Sequence, residues 1–295
     1  MRVLITGAAG QVGTALTQGA PDWAEVIALG SHQLDVSDEA AVSTTLSRLK
    51  PRLVINAAAY TAVDRAEAEE QRAGEINGLA LGYLGAAAAR IGAPVFHIST
   101  DYVFSGYATE PYVEIAQPGP RSAYGRGKLA GELQLARSCR EHVILRTSWV
   151  FSAHGSNFVK TMLRLGRERP ELRVVADQLG GPTPADSIAA ALWQLAQCWR
   201  QGEGSEFQWG IYHFSGSPIS SWHGFASEIF SQAYARGILS TVPEVLAITT
   251  AEFPTPAERP AYSVLDCTKL KDTFAIEQPD WRTGLSRVLD EIKGA

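Results

Sequence analysis

Cysteine is scarce: 295 residues hold three, Cys139, Cys198 and Cys267, far apart and in no ligand-like spacing. That excludes a disulfide framework and a cysteine zinc site, and it makes a reducing compartment the expectation. Long apolar runs are also missing, since no stretch approaches the ~20 residues that a bilayer span needs. The chain opens directly on Arg2-Val3-Leu4-Ile5, with no basic and then apolar leader, and a cytoplasmic protein is expected. Neither sign of charge forms a block. A formal net charge of -5 spread along the chain advertises no surface for nucleic acid or an anionic membrane. The arginines 164, 167, 169 and 173 are interleaved with Glu168 and Glu171 and read as a solvated helical face. Internal repeats, heptad seams and low-complexity linkers are absent as well.

What is present is enough apolar residue, 45%, to build a continuous core. Val3 to Ile5 forms a short apolar run that stops at Thr6-Gly7-Ala8-Ala9-Gly10-Gln11-Val12-Gly13, after which Ala15 and Leu16 begin a helical pattern. Strand, glycine turn and helix in that order let a pyrophosphate approach free N–H groups at a helix start, where the helix dipole favours negative charge. A second strand over Glu25 to Leu29 ends at Gly30-Ser31-His32. Folds of this kind read the adenosine ribose there, and a carboxylate would repel a 2'-phosphate. None stands there. NADPH is therefore the expected cofactor, with Ser31 and His32 as donors to the phosphate and NADH tolerated beside it. Asp35 has two readings of equal weight, beside the adenine or as the cap of the helix that follows Ser37.

Further strands are expected at Leu53 to Asn56, Pro94 to Ser99, Val143 to Thr147 and Ile211 to Phe214, with a long helix over Asp64 to Arg90. The small side chains of Asn56-Ala57-Ala58-Ala59-Tyr60-Thr61 let a cofactor lie against backbone. Thr100 ends the fourth strand at the carboxyl edge of the sheet, where ligands of open α/β folds bind. Its hydroxyl either meets a substrate carbonyl or satisfies its own turn. Ser122 is a candidate N-cap for a helix carrying Tyr124-Gly125-Arg126-Gly127-Lys128. On a helix, Tyr124 and Lys128 share one face, and a nearby ammonium lowers the pKa of a phenol. Helices are also expected at Asn157 to Arg167, Ala185 to Trp199 and Ser221 to Arg236, with a surface connection at Gly202 to Ser205. The fold class is thus α/β, a Rossmann-type doubly wound parallel sheet over 1–150. A smaller α/β carboxyl-terminal lobe lies mainly in 151–295, with chain crossings between the two.

Thr6-Gly-x-x-Gly-x-x-Gly13, the strand-end Thr100 and Tyr124-x-x-x-Lys128 together resemble the extended short-chain dehydrogenase/reductase family. Asn56-Ala57-Ala58-Ala59-Tyr60-Thr61-Ala62-Val63-Asp64, Ser99-Thr100-Asp101-Tyr102-Val103-Phe104, Arg146-Thr147-Ser148-Trp149-Val150 and Pro254-Thr255-Pro256-Ala257 bring the chain closest to the family's dTDP-sugar 4-ketoreductases. The similarity runs from Met1 to about Glu291. It implies reduction of the 4-keto group of dTDP-6-deoxy-L-lyxo-4-hexulose to dTDP-L-rhamnose, with Tyr124 as proton donor, Thr100 as second hydrogen bond to the oxyanion, and Lys128 lowering the phenol pKa while binding the nicotinamide ribose. Gly7, Gly10, Gln11, Val12 and Gly13 would meet the pyrophosphate, Asp35 and Val36 the adenine side, and Ala58, Ala59, Tyr60 and Thr61 the ribose and nicotinamide. Val63, Thr100, Asp101, Tyr102 and Trp149 would surround the sugar, and Arg259 would pair with the diphosphate, Trp149 being equally a core indole and Arg259 a surface ion pair on their residue types alone.

Family members bridged into dimers by magnesium carry acidic residues at three places; here Ala15, Asp186 and Glu291 stand there. One ligand is missing, so a monomer or a homodimer without that metal is expected. A second arginine before the Arg259 position is replaced by Glu258. Two other readings stay open: a cofactor-binding regulatory subunit of the methionine adenosyltransferase type, and a reductase or epimerase of another nucleotide sugar.

Overall fold

The computed structural model describes residues 1–202 and 207–294. In chain order the elements are β1 (Arg2–Thr6), α1 (Gln11–Gln18), β2 (Glu25–Leu29), α2 (Glu39–Leu49), β3 (Leu53–Asn56), α3 (Val63–Ala68), α4 (Glu70–Gly74), a π-helical turn (Glu75–Leu79), α5 (Ala80–Arg90), β4 (Val95–Thr100), a 3-10 turn (Asp101–Val103), α6 (Ala123–Ser138) and β5 (His142–Thr147). Then follow β6 (Val150–Phe151), α7 (Phe158–Glu168), β7 (Glu171–Val175), β8 (Leu179–Gly180), β9 (Thr183–Pro184), α8 (Ala185–Gln201), β10 (Gly210–His213), β11 (Ser220–Ser221), α9 (Trp222–Ala235), β12 (Glu244–Ile248), α10 (Thr268–Phe274) and α11 (Trp281–Gly294).

A six-stranded parallel sheet in the order β10-β5-β4-β3-β1-β2 forms the frame. Helices cover both faces, which is why β3 is buried at every residue and reads as an unbroken apolar run before Asn56. One face is filled by α1, α8 and α10, through Leu16, Leu192, Trp193 and Leu270; the other by α2, α5 and α6, through Leu46, Leu84 and Leu135. After β1 the chain goes to β2 on one side and returns to β3 on the other. This reversal opens a crevice at the carboxyl ends of β1 and β3.

The division near residue 150 is one of sequence rather than of packing. Beyond it, α8 lays Trp193 against α1, its indole donating to the Leu16 carbonyl, and β10 pairs with β5 in the main sheet. The lobe has its own core, in which Phe151, Leu163, Phe225, Phe230, Trp281 and Leu285 join α7, α9 and α11 to the parallel pair β7 and β12.

The six main strands and the cap on Ser122 stand where the sequence puts them, and the helix expected from Ser221 begins at Trp222 with Ser221 as its cap. The expected helix over Asp64 to Arg90 does not run unbroken: it halts at Glu69 and widens into the π turn. Arg164 and Arg167 do lie on α7, but Arg169 caps its end and Arg173 sits on β7, paired with Glu252, so the four arginines do not share a helical face. The expected connection at Gly202 to Ser205 falls, from 203 on, outside the described residues.

Candidate active site

The glycine turn is held by close approach of backbones. Gly7 lies at φ 70°, and a Cβ there would fall on the backbone of Ala57 and Ala58 after β3. Only glycine satisfies both demands. Gly10 caps α1 without a side-chain bond, so the first N–H groups of that helix remain available to an anion. Gln11 turns its side chain the other way, its Oε1 accepting from Ser152 Oγ at 3.0 Å and Asn157 Nδ2 at 2.9 Å, which fixes the loop after β6 to the turn. Val12 is buried.

At the end of β2, Ser31 and His32 are exposed, and Val36 is buried in the core. The cap of α2 is Asp38, which accepts from Ala41 N. Asp35, free of that duty, accepts from the Ser37 amide and hydroxyl and faces Arg72 at 3.5 Å; these hydrogen bonds first, and then the guanidinium, hold its carboxyl below the ordinary value. Past β3, Ala58, Ala59 and Tyr60 are half-buried, Thr61 is exposed, and Val63 begins α3.

Asn77, fully buried, escaped the sequence reading. Its amide accepts from Tyr60 N at 2.8 Å and donates to Tyr60 O at 2.9 Å, clamping the loop that carries the expected ribose contacts. The π turn puts it there, and π turns inside helices often mark functional positions. Gly131 of α6 lies so close to the Asn77 carbonyl that a Cβ could not fit between them. A polar residue inside an Ala- and Leu-rich helical stretch was the available signal.

On α6, Tyr124 is half-buried and Lys128 fully buried. The Tyr124 ring meets the Tyr102 ring edge-on at 5.5 Å. Burial raises the phenol well above its ordinary value, opposed by the Thr100 hydroxyl, while Asp101 and Tyr102 add to the rise. The expected lowering by Lys128 is not seen in this arrangement, because the lysine points inward. Its Nζ donates to the Ile98 carbonyl at 2.7 Å and lies 3.0 Å from His97 Nε2. Burial brings the ammonium down to about 7, partly offset by Glu132. Beyond His97 the contacts continue: Nδ1 lies 2.8 Å from Asn56 Nδ2, and Asn56 Oδ1 accepts from Thr6 Oγ1 at 2.5 Å.

Thr100 does satisfy its own turn, accepting from Tyr102 N at 3.3 Å, and it also donates to Asp101 Oδ1 at 2.9 Å. Burial raises the Asp101 carboxyl to about 6, against opposing hydrogen bonds from Ser263 and Thr100. Trp149, at φ 47° and half-buried, stacks on Trp222 with ring centroids 3.6 Å apart, which fixes the plane of its indole. Arg259 bonds Asp64 at 2.7 Å and the Tyr102 hydroxyl at 3.0 Å. Glu258 turns to Arg121 and Tyr107 instead of joining Arg259.

Ala15, Asp186 and Glu291 do come together, lining a cavity of about 330 Å³ beside α1 and α11. Asp186 is paired with Arg287 at 3.0 Å and Glu291 with His154 at 3.0 Å. Two carboxylates already facing basic side chains, and an alanine at the third position, do not fit a magnesium ion, whose octahedral oxygen shell needs anionic ligands free to bind it.

Sheet order, glycine turn and Tyr-x-x-x-Lys helix define the class: a dinucleotide-binding α/β protein of the short-chain dehydrogenase/reductase type. Within it, residues 1–293 match the family model described as the RmlD substrate binding domain. The chain is 46% identical to dTDP-4-dehydrorhamnose reductase of Aggregatibacter actinomycetemcomitans over 97% of its own length and 98% of that protein's. Its structure is similar to that of the dTDP-4-dehydrorhamnose reductase of Clostridium acetobutylicum, with TM-score 0.92, 38% identity and coverage of 99% and 100%. It is also similar to that of the Bacillus anthracis reductase in complex with NADP, with TM-score 0.90, 36% identity and coverage of 98% and 99%. The chain belongs to the dTDP-4-dehydrorhamnose reductase family.

Proposed function

We propose that this protein reduces the 4-keto group of dTDP-6-deoxy-L-lyxo-4-hexulose with NADPH, forming dTDP-L-rhamnose. The observation that carries this reading is family membership over nearly the whole chain, supported by Thr100 at the end of β4 and by Tyr124 and Lys128 one turn apart on α6. The residues fit the cofactor: Gly7 and Gly13 let the turn pack so tightly that a Cβ at either would strike backbone, and α1 begins without a side-chain cap. NADPH supplies the hydride when bound.

The chain's own groups do the rest. Free amides at the start of α1 receive the pyrophosphate, and Ser31 and His32 receive the 2'-phosphate, which makes NADPH preferred over NADH. Asn77 keeps the Tyr60 backbone in place beneath the ribose. Tyr124 gives its proton to the keto oxygen as negative charge develops there, and Thr100 donates the second hydrogen bond. For that, the Thr100 hydroxyl must turn from Asp101. Lys128 balances the phenolate, Val63, Asp101, Tyr102 and Trp149 border the sugar, and Arg259 receives the diphosphate by exchanging Asp64 for it. A reducing cytoplasm suits the three unpaired cysteines.

The test is turnover of NADPH and of NADH by the purified protein on a panel of dTDP- and UDP-linked 4-keto sugars, with product stereochemistry determined. The dTDP-linked 6-deoxy-4-hexulose should be reduced to the L-rhamnose product, faster with NADPH. Tight cofactor binding with no reduction of any sugar in the panel would favour a non-catalytic binding subunit instead.

A further inference from the structure

Thr6, Asn56 and His97 occupy matching positions on the adjacent strands β1, β3 and β4, in the register Thr6 to Asn56 to His97. All three are buried, and they end on the buried Lys128 of α6. Such a row must obey a hydrogen count. A neutral imidazole carries one N–H, an ammonium can only donate, and an amide offers N–H on one side and oxygen on the other. If Lys128 is an ammonium, His97 Nε2 must accept; the ring hydrogen is then on Nδ1, and the Asn56 oxygen must face it. If Lys128 is an amine, it accepts from Nε2–H, Nδ1 accepts from the Asn56 nitrogen, and Thr6 donates to the Asn56 oxygen. Asn56 stands with Nδ2 toward His97 and Oδ1 toward Thr6, the orientation of the second pattern.

We propose that His97 is a positioning residue whose tautomer moves with the charge of Lys128: hydrogen on Nδ1 beside the ammonium, on Nε2 beside the amine. The two arrangements differ by one proton, released to solvent, and by a half-turn of the Asn56 amide, which gives up the long contact of Nδ2 with the Ala58 carbonyl at 3.4 Å. The Ile98 carbonyl accepts from Lys128 in both. Burial and the neighbouring Lys128 keep the His97 ring neutral, as the count requires, and burial of Lys128 brings its two forms within reach near neutral pH. The charged group bearing on Lys128 is Glu132, a turn further along α6, itself bonded to Arg146 from β5 and Ser99 from β4. Tyr124 on α6 and Asp101 after β4 are the other titratable groups at this edge, the latter turned to Thr100. β1 and β3 bring the neutral Thr6 and Asn56, and the π turn brings the neutral Asn77. In a reductase, this row sets how readily the lysine holds its proton opposite the Tyr124 phenolate.

The kinetic part of the proposal rests on the reductase reading; the tautomer part does not. In the full-length protein with ¹⁵N-labelled histidine, the His97 resonances, assigned by their loss in His97→Leu, should show a neutral ring from about pH 6 to about pH 9. Its hydrogen should pass from Nδ1 to Nε2 as pH rises, and the passage should vanish in Lys128→Met. One tautomer throughout, or a passage that survives in Lys128→Met, overturns the proposal. In turnover, Asn56→Asp should fix hydrogen on Nδ1, keep Lys128 charged and move the Lys128 limb of the kcat–pH profile up by about one pH unit. In a His97→Leu background the same substitution should leave the limb in place, whereas an equal movement there would mean that the new charge acts through space and His97 positions nothing. A parent protein that reduces no keto sugar would sink the reductase reading and leave the resonance test standing.

Discussion

The floor and the rim of the candidate site handle charge in opposite ways. On the floor, Lys128 directly meets only neutral partners among the described residues, and Arg146 and Glu132 are sealed together at 2% and 3% exposure. On the rim, Arg259 holds Asp64, Arg121 holds Glu258 and Arg126 holds Glu70, each pair at least partly in water. Buried ions are governed by desolvation, so Lys128 has a shifted ionisation and the floor has little tolerance for a missing partner. Exposed pairs are weak and exchangeable, so the rim can trade a carboxylate for a ligand's phosphate. In the proposed reaction, proton chemistry therefore falls to the floor and recognition of the nucleotide to the rim.

The largest expected difference between them is in stability. Arg146→Leu leaves Glu132 buried without its ion partner and should cost about 3–5 kcal/mol in denaturant unfolding; a cost below about 1 kcal/mol would mean that the floor pair behaves like a rim pair. Next comes the pH dependence at Lys128. Its folded pKa, about 7, lies below its unfolded value. The associated stability is therefore present above the ordinary lysine pKa and lost as pH falls toward and through about 7. Lys128→Met should accordingly be more stable than the parent at and below about pH 7, with the gap narrowing on the alkaline side. Thermal unfolding across pH reads this directly, and a gap independent of pH contradicts it. The smallest effect is on the rim, where Arg121→Ala should leave the unfolding midpoint close to that of the parent protein. A marked drop would show that the Glu258 contact is structural.

The frame of this site was legible because it is built from local signals. Apolar runs ending in Gly or small residues mark the strands, and Ser122 and Ser221 mark helix starts. The π turn was not, because alanine, glutamate and leucine favour a helix without distinguishing an i to i+5 bond from an i to i+4 bond. The strands Glu171–Val175 and Glu244–Ile248 were missed too; each is short, and its partner lies far along the chain. The stacking of Trp149 on Trp222 depends on the folding of the lobe, as does the pairing of Asp186 with Arg287. The floor row left a fainter trace: Thr6, Asn56 and His97 are polar residues at buried positions of largely apolar strands. A buried polar residue needs a partner, but sequence alone does not say which.

That the floor carries the proton chemistry is tested most directly by Tyr124→Phe, measuring NADPH affinity and turnover of the dTDP-linked 4-keto sugar on the same preparation. The phenyl ring keeps the packing against Tyr102 and removes the proton. Turnover should fall by about 10²- to 10⁴-fold with cofactor affinity unchanged; turnover equal to that of the parent protein would contradict the assignment.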